Sequence, residues 1–206
     1  MRNIFYSLIL IFVIWVLMQP RPTNDIVTYH NDYRIDSNYL TPIEPLTESV
    51  NTMSVIPSRK ENAVDLYIKR YSKTAIEEMR LYGIPASITL AQGIVESNAG
   101  RSNLSVKHNN HFGMKWRKGR AESYAVYSDD SPKDKFVVYK SAWRSFRDHS
   151  ILLAKSDRYK RLFKSKDYKR WAKGLRDCGY ATNKSYDKML ISVIEKYGLH
   201  KYDKFK

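Results

Sequence analysis

Glu96 is the residue of this chain best suited to acid chemistry. It lies near the C-terminal end of the apolar run Ala91–Ser97, which has the composition of a helix. A carboxylate in such a helix either faces water or is desolvated, and desolvation favours its neutral, protonated form. A carboxyl group that holds a proton at neutral pH can act as a general acid. The periodicity alone favours the solvated alternative, so further signals are needed.

Signatures of other chemistries are missing from the sequence. It contains neither a glycine-rich phosphate loop nor a GxSxG elbow. Its five histidines include no HExxH pair, and its single cysteine, Cys178, excludes both an intramolecular disulfide and a cysteine-based metal site. We therefore expect neither a metal nor a cofactor.

The elements that must position Glu96 are mainly helical. Apolar residues recur every three or four positions from Arg59 onward, whereas residues 111–140 contain short segments rich in Tyr, Phe and Val. The patterns predict helices over 64–82, from Pro85 to near Gly100, from Ser141 to Lys155, from Asp167 to Gly179 and over Tyr186–Tyr197. They also predict a small β-hairpin lobe over 111–140. The fold class expected is α+β, with a cleft between a helical lobe and the hairpin.

The N-terminal part of the chain has a different composition. Residues 1–18 contain the uncharged run Ile4–Met18 after a single arginine, which is typical of an export signal or an uncleaved membrane anchor. Residues 19–58 hold five of the seven prolines and are expected to form a linker. Residues 59–206 are expected to form the catalytic domain, in the cell envelope.

The domain is strongly basic. The chain has a net charge of +15, and residues 1–58 carry only three of its 36 basic residues. Nine basic residues lie between 158 and 176. Such a charge attracts polyanions, which include nucleic acid, anionic lipid and the polymers of a cell wall. Because the chain carries an export signal, we expect a wall polymer as partner and no nucleic acid.

Four segments resemble one family of enzymes. The runs Leu90–Ser102 and Asn109–Lys115 look like the signature of glycoside hydrolase family 73, and Ser145–His149 and Gly179–Thr182 follow in the same order. These enzymes are bacterial N-acetylglucosaminidases, with flagellar and autolysin-type peptidoglycan hydrolases among them. The resemblance covers about residues 62–200.

The resemblance implies a lysozyme-like α+β fold and an endo-β-N-acetylglucosaminidase that cuts the β-1,4 bond after N-acetylglucosamine in peptidoglycan. Glu96 matches the family's catalytic acid. Tyr180 matches a tyrosine beside the scissile bond. The segments that match the family's substrate cleft contribute Gln92, Asn110, Phe112, Gly113, Trp116 and Tyr186.

Some of these side chains have structural alternatives. Trp116 offers a flat face for stacking on a sugar, but core packing explains it equally well, and explains Phe112 better. An amphipathic helix accounts for Phe146 and His149, which we expect to be structural.

The second carboxylate is less clearly marked. Glycoside hydrolases commonly use two carboxylates. The family takes one from the β lobe, and the segment Tyr127–Asp130 resembles a variant in which an aspartate run replaces the usual glutamate. We therefore favour Asp129 or Asp130, followed by Glu122. Attack by the substrate's own acetamido group is an alternative that needs no protein base.

Other functions are compatible with the same residues. A muramidase or a lytic transglycosylase of the same fold would also use a single glutamate. A non-catalytic peptidoglycan-binding module would keep the cleft without an effective second group, and a nucleic-acid binder is favoured by charge alone. We expect a monomer that binds peptidoglycan glycan strands, with membrane attachment if the N-terminal segment is uncleaved.

Overall fold

The computed structural model describes residues 61–127 and 134–204. Within these ranges the chain forms six α-helices, two 3₁₀ helices and one two-stranded sheet. The elements are α1 (Ala63–Tyr82), α2 (Ala86–Ser97), α3 (Asn103–His108), β1 (Tyr124–Tyr127), β2 (Asp134–Val137), α4 (Ala142–Lys155), a 3₁₀ helix (Asp157–Lys164), α5 (Tyr168–Asp177), α6 (Tyr186–Tyr197) and a final 3₁₀ helix (Leu199–Lys204).

Helix α1 begins and ends at the residues that the sequence indicates. The Asn62 side chain accepts hydrogen bonds from the backbone N–H groups of Val64 and Asp65, and the Asp65 carboxylate accepts one from the Asn62 N–H, which is a capping box. At the other end Gly83 has a φ of 76°, the left-handed conformation that closes a helix and that glycine adopts without a steric penalty.

Helix α2 is the central element of the core. Every residue from Ala86 to Ser97 is buried, with the exception of Glu96. The helix packs against α1, α5, α6 and the final 3₁₀ helix. Gly93 permits the close approach of α1, because a Cβ atom at this position would overlap the Tyr67 hydroxyl.

The start of α2 is capped by a residue far away in sequence. Pro85 at the N-cap position makes no side-chain hydrogen bond. Instead, Asp203 of the final 3₁₀ helix accepts hydrogen bonds from Ser87 N at 2.8 Å and from Ser87 Oγ at 2.6 Å. A carboxylate at a helix N-terminus satisfies free N–H groups and complements the helix dipole. The C-terminal end of the described chain therefore fixes the helix that carries Glu96.

The β lobe is a single antiparallel hairpin. Tyr124 pairs with Val137, and Tyr127 pairs with Asp134. The segment after Phe112, which the sequence also assigns to this lobe, contributes only one bridge, between Lys115 and Phe136. The predicted hairpin is confirmed, and residues 128–133 at its turn lie outside the described ranges.

The later helices differ from expectation mainly at their ends. Helix α6 has the bounds that the sequence predicts, whereas α2 ends at Ser97 and α5 at Asp177, both earlier than expected. Ser141 occupies the N-cap position of α4, but its side chain makes no capping hydrogen bond. Helix α3 and the two 3₁₀ helices were not predicted, because each is too short to show a periodic pattern.

No helix among the described residues is long and apolar enough to cross a membrane. The expected export signal or anchor, residues 1–18, and the expected linker, residues 19–58, lie outside the described ranges.

Candidate active site

Glu96 lies in the last turn of α2, where the chain leaves the core. The next residues, Asn98, Ala99 and Gly100, all have left-handed φ angles, of 54°, 51° and 76°. Two of them are not glycine, and such a conformation costs free energy unless the surroundings fix it. Ser97 helps to fix this turn, because its Oγ accepts from Gly100 N at 2.7 Å and donates to the Gly93 carbonyl at 2.5 Å. Glu96 is therefore held at the rigid end of a buried helix.

A buried tyrosine from α6 orients the Glu96 carboxyl group. The Tyr186 hydroxyl donates to Glu96 Oε1 at 2.7 Å. The same hydroxyl oxygen accepts from Gln92 Nε2 at 3.1 Å. Burial, followed by the Glu96 charge, raises the pKa of Tyr186, so the phenol stays protonated and remains a donor. Because the Gln92 amide already donates to the oxygen of the Tyr186 hydroxyl, the hydroxyl proton points toward Glu96.

Tyr180 lies next to this network. Its ring stacks on that of Tyr186, with centroids 5.6 Å apart and an interplanar angle of 18°. The backbone bond from Tyr180 N to Leu175 O, at 3.0 Å, holds it just beyond the end of α5. Burial raises its pKa, and the charge of Glu96 raises it further, which places the two side chains in one electrostatic environment. That Glu96 and Tyr180 act together in one catalytic site stays a prediction.

Behind Tyr180 lies a column of buried rings. His149 stacks on Phe112, with centroids 4.1 Å apart, and meets Tyr180 edge to face at 5.9 Å. Phe112 in turn packs edge to face on Phe146. His149 is fully buried, and burial lowers its pKa to about 3, so the imidazole is neutral. Among the described residues, neither of its ring nitrogens has a hydrogen-bond partner.

The segment that leads into the β lobe is fixed by Asn110. Its Nδ2 donates to the carbonyls of Met114 and Val137, both at 3.0 Å, and its Oδ1 accepts from Met114 N at 2.9 Å. The intervening Gly113 has a φ of 63°, which this turn requires. Asn110 thus joins the start of the lobe to strand β2.

Four of the six predicted substrate-binding side chains have internal partners instead of an open surface. Gln92 is 0% exposed, Asn110 1%, Phe112 5% and Tyr186 2%. Burial leaves these four side chains little free surface in the described structure, and Gln92 Oε1 has no hydrogen-bond partner there. Their direct contact with a substrate stays a prediction.

Trp116 belongs to an aromatic cluster on the hairpin. Its ring centroid lies 4.9 Å from that of Tyr124, and its Nε1 donates to the Glu122 carbonyl at 2.7 Å. Lys135 Nζ lies 4.3 Å from the Tyr124 ring centroid and 5.5 Å from that of Trp116. Tyr124 is 43% exposed. The sequence indicated Trp116 but gave no signal for Tyr124 and Lys135, because only the strand register brings them together.

Of the candidate second carboxylates, Glu122 is the one that lies within the described ranges. Asp129 and Asp130 lie outside the described ranges. Glu122 is exposed and paired with Arg120 at 3.2 Å, and this hydrogen bond lowers the pKa of the carboxyl group. Among the residues of 61–127 and 134–204, no group of three or more His, Cys, Asp or Glu side chains could hold a metal ion.

Residues 72–199 match the model of a family described as glucosaminidase, mannosyl-glycoprotein endo-beta-N-acetylglucosaminidase. The exo-glucosaminidase LytG of Bacillus subtilis is 33% identical over 134 residues, which cover 59% of this chain and 47% of that protein. The peptidoglycan hydrolase FlgJ of Escherichia coli K12 is 29% identical over 125 residues, 55% of this chain and 40% of FlgJ. The chain thus spans about half the length, or less, of these curated relatives.

Solved structures show the same architecture. The catalytic domain of the autolysin Auto from Listeria monocytogenes matches with a TM-score of 0.61 at 26% identity, covering 76% of this chain and 100% of that domain. The glycoside hydrolase domain of FlgJ from Salmonella typhimurium matches with a TM-score of 0.58 at 26% identity, and the match covers 67% of this chain and 90% of that domain. The expected fold class, a mainly helical lysozyme-like domain with a small β lobe, is confirmed.

Proposed function

Because the chain belongs to the glucosaminidase family of glycoside hydrolases, we propose that it is a peptidoglycan hydrolase that cleaves the β-1,4 bond after N-acetylglucosamine, with Glu96 as general acid. The observation that carries the proposal is the placement of Glu96. It is the one residue of a buried helix that is not itself buried, and a tyrosine from another helix fixes its carboxyl group. A general acid needs this combination of access to substrate and fixed geometry.

The hydrogen bonds around Glu96 indicate which oxygen acts. Tyr186 donates to Oε1, and Gln92 orients the Tyr186 hydroxyl in that direction. Oε1 is therefore an acceptor, and an acid proton on Glu96 belongs on Oε2. That proton would pass to the glycosidic oxygen as the bond to the anomeric carbon breaks. Gln92 and Tyr186 would act through Glu96 as positioning residues.

Tyr180 would contact the substrate beside the scissile bond. Its raised pKa keeps the phenol protonated, so it can donate a hydrogen bond to the sugar or to the oxygen that gains charge. Phe112 and His149 would support it from behind by ring packing. On the hairpin, Trp116 and Tyr124 would supply a stacking surface for a sugar ring.

For the second group we propose Asp129 or Asp130, which lie in the sequence between β1 and β2. Either carboxylate would activate water or stabilise the positive charge that develops at the anomeric carbon. Separate Asp129→Asn and Asp130→Asn variants test this assignment. If both keep the wild-type rate on sacculi, Glu122→Gln tests the remaining carboxylate, and a wild-type rate in that variant too would assign the role to the acetamido group of the substrate.

The site of action follows from the substrate. Relatives with peptidoglycan-hydrolase names indicate the cell envelope. We propose that residues 1–18 export the chain or anchor it, and that residues 19–58 separate the anchor from the domain. Protease accessibility of the full chain on intact cells tests this location.

Product analysis tests the reaction. The full chain is incubated with purified sacculi, the fragments are reduced with borohydride, and their ends are identified by mass spectrometry. Reduced N-acetylglucosamine ends are expected. Reduced muramic acid ends would identify a muramidase, and anhydromuramic ends a transglycosylase. Fragment length distinguishes the endo mode proposed here from the exo mode in the name of LytG, because an exo enzyme releases only short products.

A further inference from the structure

A basic recess lies between the 3₁₀ helix Asp157–Lys164 and helix α5. Its volume is about 290 Å³. Four basic side chains and one acidic side chain line it, namely Arg161, Lys164, Arg170, Lys173 and Asp177. All five are exposed. The mechanism proposed above uses none of them.

The four basic side chains are not held in close ion pairs. Within the described ranges none of them forms an ion pair, whereas their neighbours do: Lys169 pairs with Glu195 at 2.8 Å, and Arg176 with Asp187 at 2.5 Å. Asp177 is engaged by Arg176 at 2.8 Å. The hydrogen bond from Arg176 lowers the pKa of Asp177, and the charges of Arg176, Lys173 and Arg161 lower it further, so this carboxylate offsets part of the positive charge. The recess keeps four basic side chains against one acidic side chain, which leaves it with a net positive charge.

The walls of the recess are fixed to each other. Trp171 Nε1 of α5 donates to the Ser165 carbonyl at 2.7 Å, just after the 3₁₀ helix. The backbone of α5 also approaches Leu162 so closely that a Cβ atom at Gly174 would overlap its side chain. Both walls therefore present their basic side chains from a rigid backbone, which lowers the entropy cost of binding an anion.

The α5 wall of the recess is close in sequence to the candidate active site. On α5, Lys173 and Asp177 follow Arg170 by three and seven positions. The three side chains therefore lie along one face of the helix over about 10 Å. Three residues after Asp177 the chain reaches Tyr180. Arg158 bridges this interval, because its Nη1 donates to the Gly179 carbonyl at 3.3 Å. The α5 wall of the recess and the segment that carries Tyr180 are thus consecutive parts of the chain, joined by the Arg158 hydrogen bond.

We propose that this recess is a subsite for the carboxylates of the peptide stems that the glycan strands carry. The proposal rests on the function proposed above, since it assigns a second part of the same polymer. Arginine matches a carboxylate with two parallel N–H donors, and lysine adds charge without fixed geometry. The exposed recess suits a hydrated, charged group better than an apolar one.

The test measures binding of the full chain carrying Glu96→Gln, so that the polymer stays intact. The recess variant adds Arg161→Gln, Lys164→Gln, Arg170→Gln and Lys173→Gln. The control variant removes the same charge elsewhere, with Lys73→Gln, Lys107→Gln, Lys140→Gln and Lys188→Gln, four exposed lysines without ion pairs in the described ranges. Each protein is titrated with sacculi and with glycan strands whose stems have been removed by an amidase.

The recess variant should bind intact sacculi at least tenfold more weakly than the control variant, and the two should bind stripped strands equally. Equal losses in both variants on sacculi would overturn the proposal in favour of general charge attraction. Equal binding of sacculi and stripped strands by the parent protein would overturn it as well, because the stems would then contribute nothing.

A second variant guards against loss of fold. The pair Arg161→Gln and Arg170→Gln should weaken binding to sacculi at least threefold, with an unchanged circular dichroism spectrum, and an unchanged affinity would overturn the proposal. The proposed function fails separately: the wild-type chain would release no reducing ends from sacculi, whereas the binding difference between the variants would not depend on cleavage.

Discussion

Two buried histidines should make the stability of this domain fall between pH 7 and pH 5. Burial lowers the pKa of His149 to about 3. Burial and the charge of Arg70 lower the pKa of His111 to about 4. In the unfolded chain a histidine titrates near about 6.5. Because the unfolded state binds these protons first, the stabilisation is complete above that pH and is lost as the pH falls.

The size of the effect follows from the two pKa values. At pH 5 the folded protein still holds both imidazoles neutral, whereas the unfolded chain is protonated at both. About 1.5 pKa units separate pH 5 from the unfolded value, at about 1.36 kcal/mol per unit, so each histidine lowers the free energy of unfolding by about 2 kcal/mol. His149→Leu removes one of the two groups. Between pH 7 and pH 5, the free energy of unfolding of this variant should therefore fall by about 2 kcal/mol less than the wild-type value does.

Urea unfolding followed by circular dichroism at pH 7 and pH 5 gives, for each protein, the change in the free energy of unfolding between the two pH values. Because each protein is compared with itself, any packing defect of His149→Leu cancels. The matched substitution control is His200→Gln, which replaces an exposed histidine. If His149→Leu loses as much free energy as the wild type, His149 is not a buried neutral histidine and the reasoning fails.

Three further substitutions test the packing and the hydrogen bonds described above. Tyr186→Phe keeps the ring stack but removes the hydroxyl that orients Glu96, so kcat on sacculi should fall about tenfold with KM unchanged; a wild-type kcat would refute the orienting role. Gly93→Ala should lower the free energy of unfolding by about 1–3 kcal/mol in urea titrations, because its methyl group meets the Tyr67 hydroxyl, and Tyr67→Phe should restore part of the loss; no loss would show that the contact relaxes. Arg147→Met leaves the fully buried Glu78 without its partner at 2.9 Å and should cost about 3–5 kcal/mol, with recovery when Glu78→Gln is added. Equal stability of the single and double variants would contradict the last prediction.

The parts of the fold that the sequence predicts correctly are those with local signals. A continuous apolar stripe closed by Gly83 defines α1, and a similar stripe defines Tyr186–Tyr197. Short segments rich in Tyr, Phe and Val predict the hairpin, and the resemblance to family 73 is confirmed by the match over residues 72–199. Each of these signals is contained in a short stretch of chain or in an ordered set of motifs.

The parts that escaped prediction depend on contacts between distant residues. The side chains of Gln92 and Glu96 meet that of Tyr186, which is 94 and 90 residues away. Asp203 caps α2 from 116 residues away. The early end of α2 reflects three left-handed residues, of which only Gly100 is a glycine that could indicate it. No periodic pattern carries this information, because it arises from the packing of helices against each other.

The most direct test of the central claim is the effect of Glu96→Gln on the digestion of sacculi by the full chain. The amide keeps the size of the side chain and can still accept from Tyr186, but it cannot donate an acid proton. The release of reduced N-acetylglucosamine ends should fall by about a thousandfold, with an unchanged circular dichroism spectrum. Release of the same ends at the wild-type rate would show that Glu96 is not the general acid.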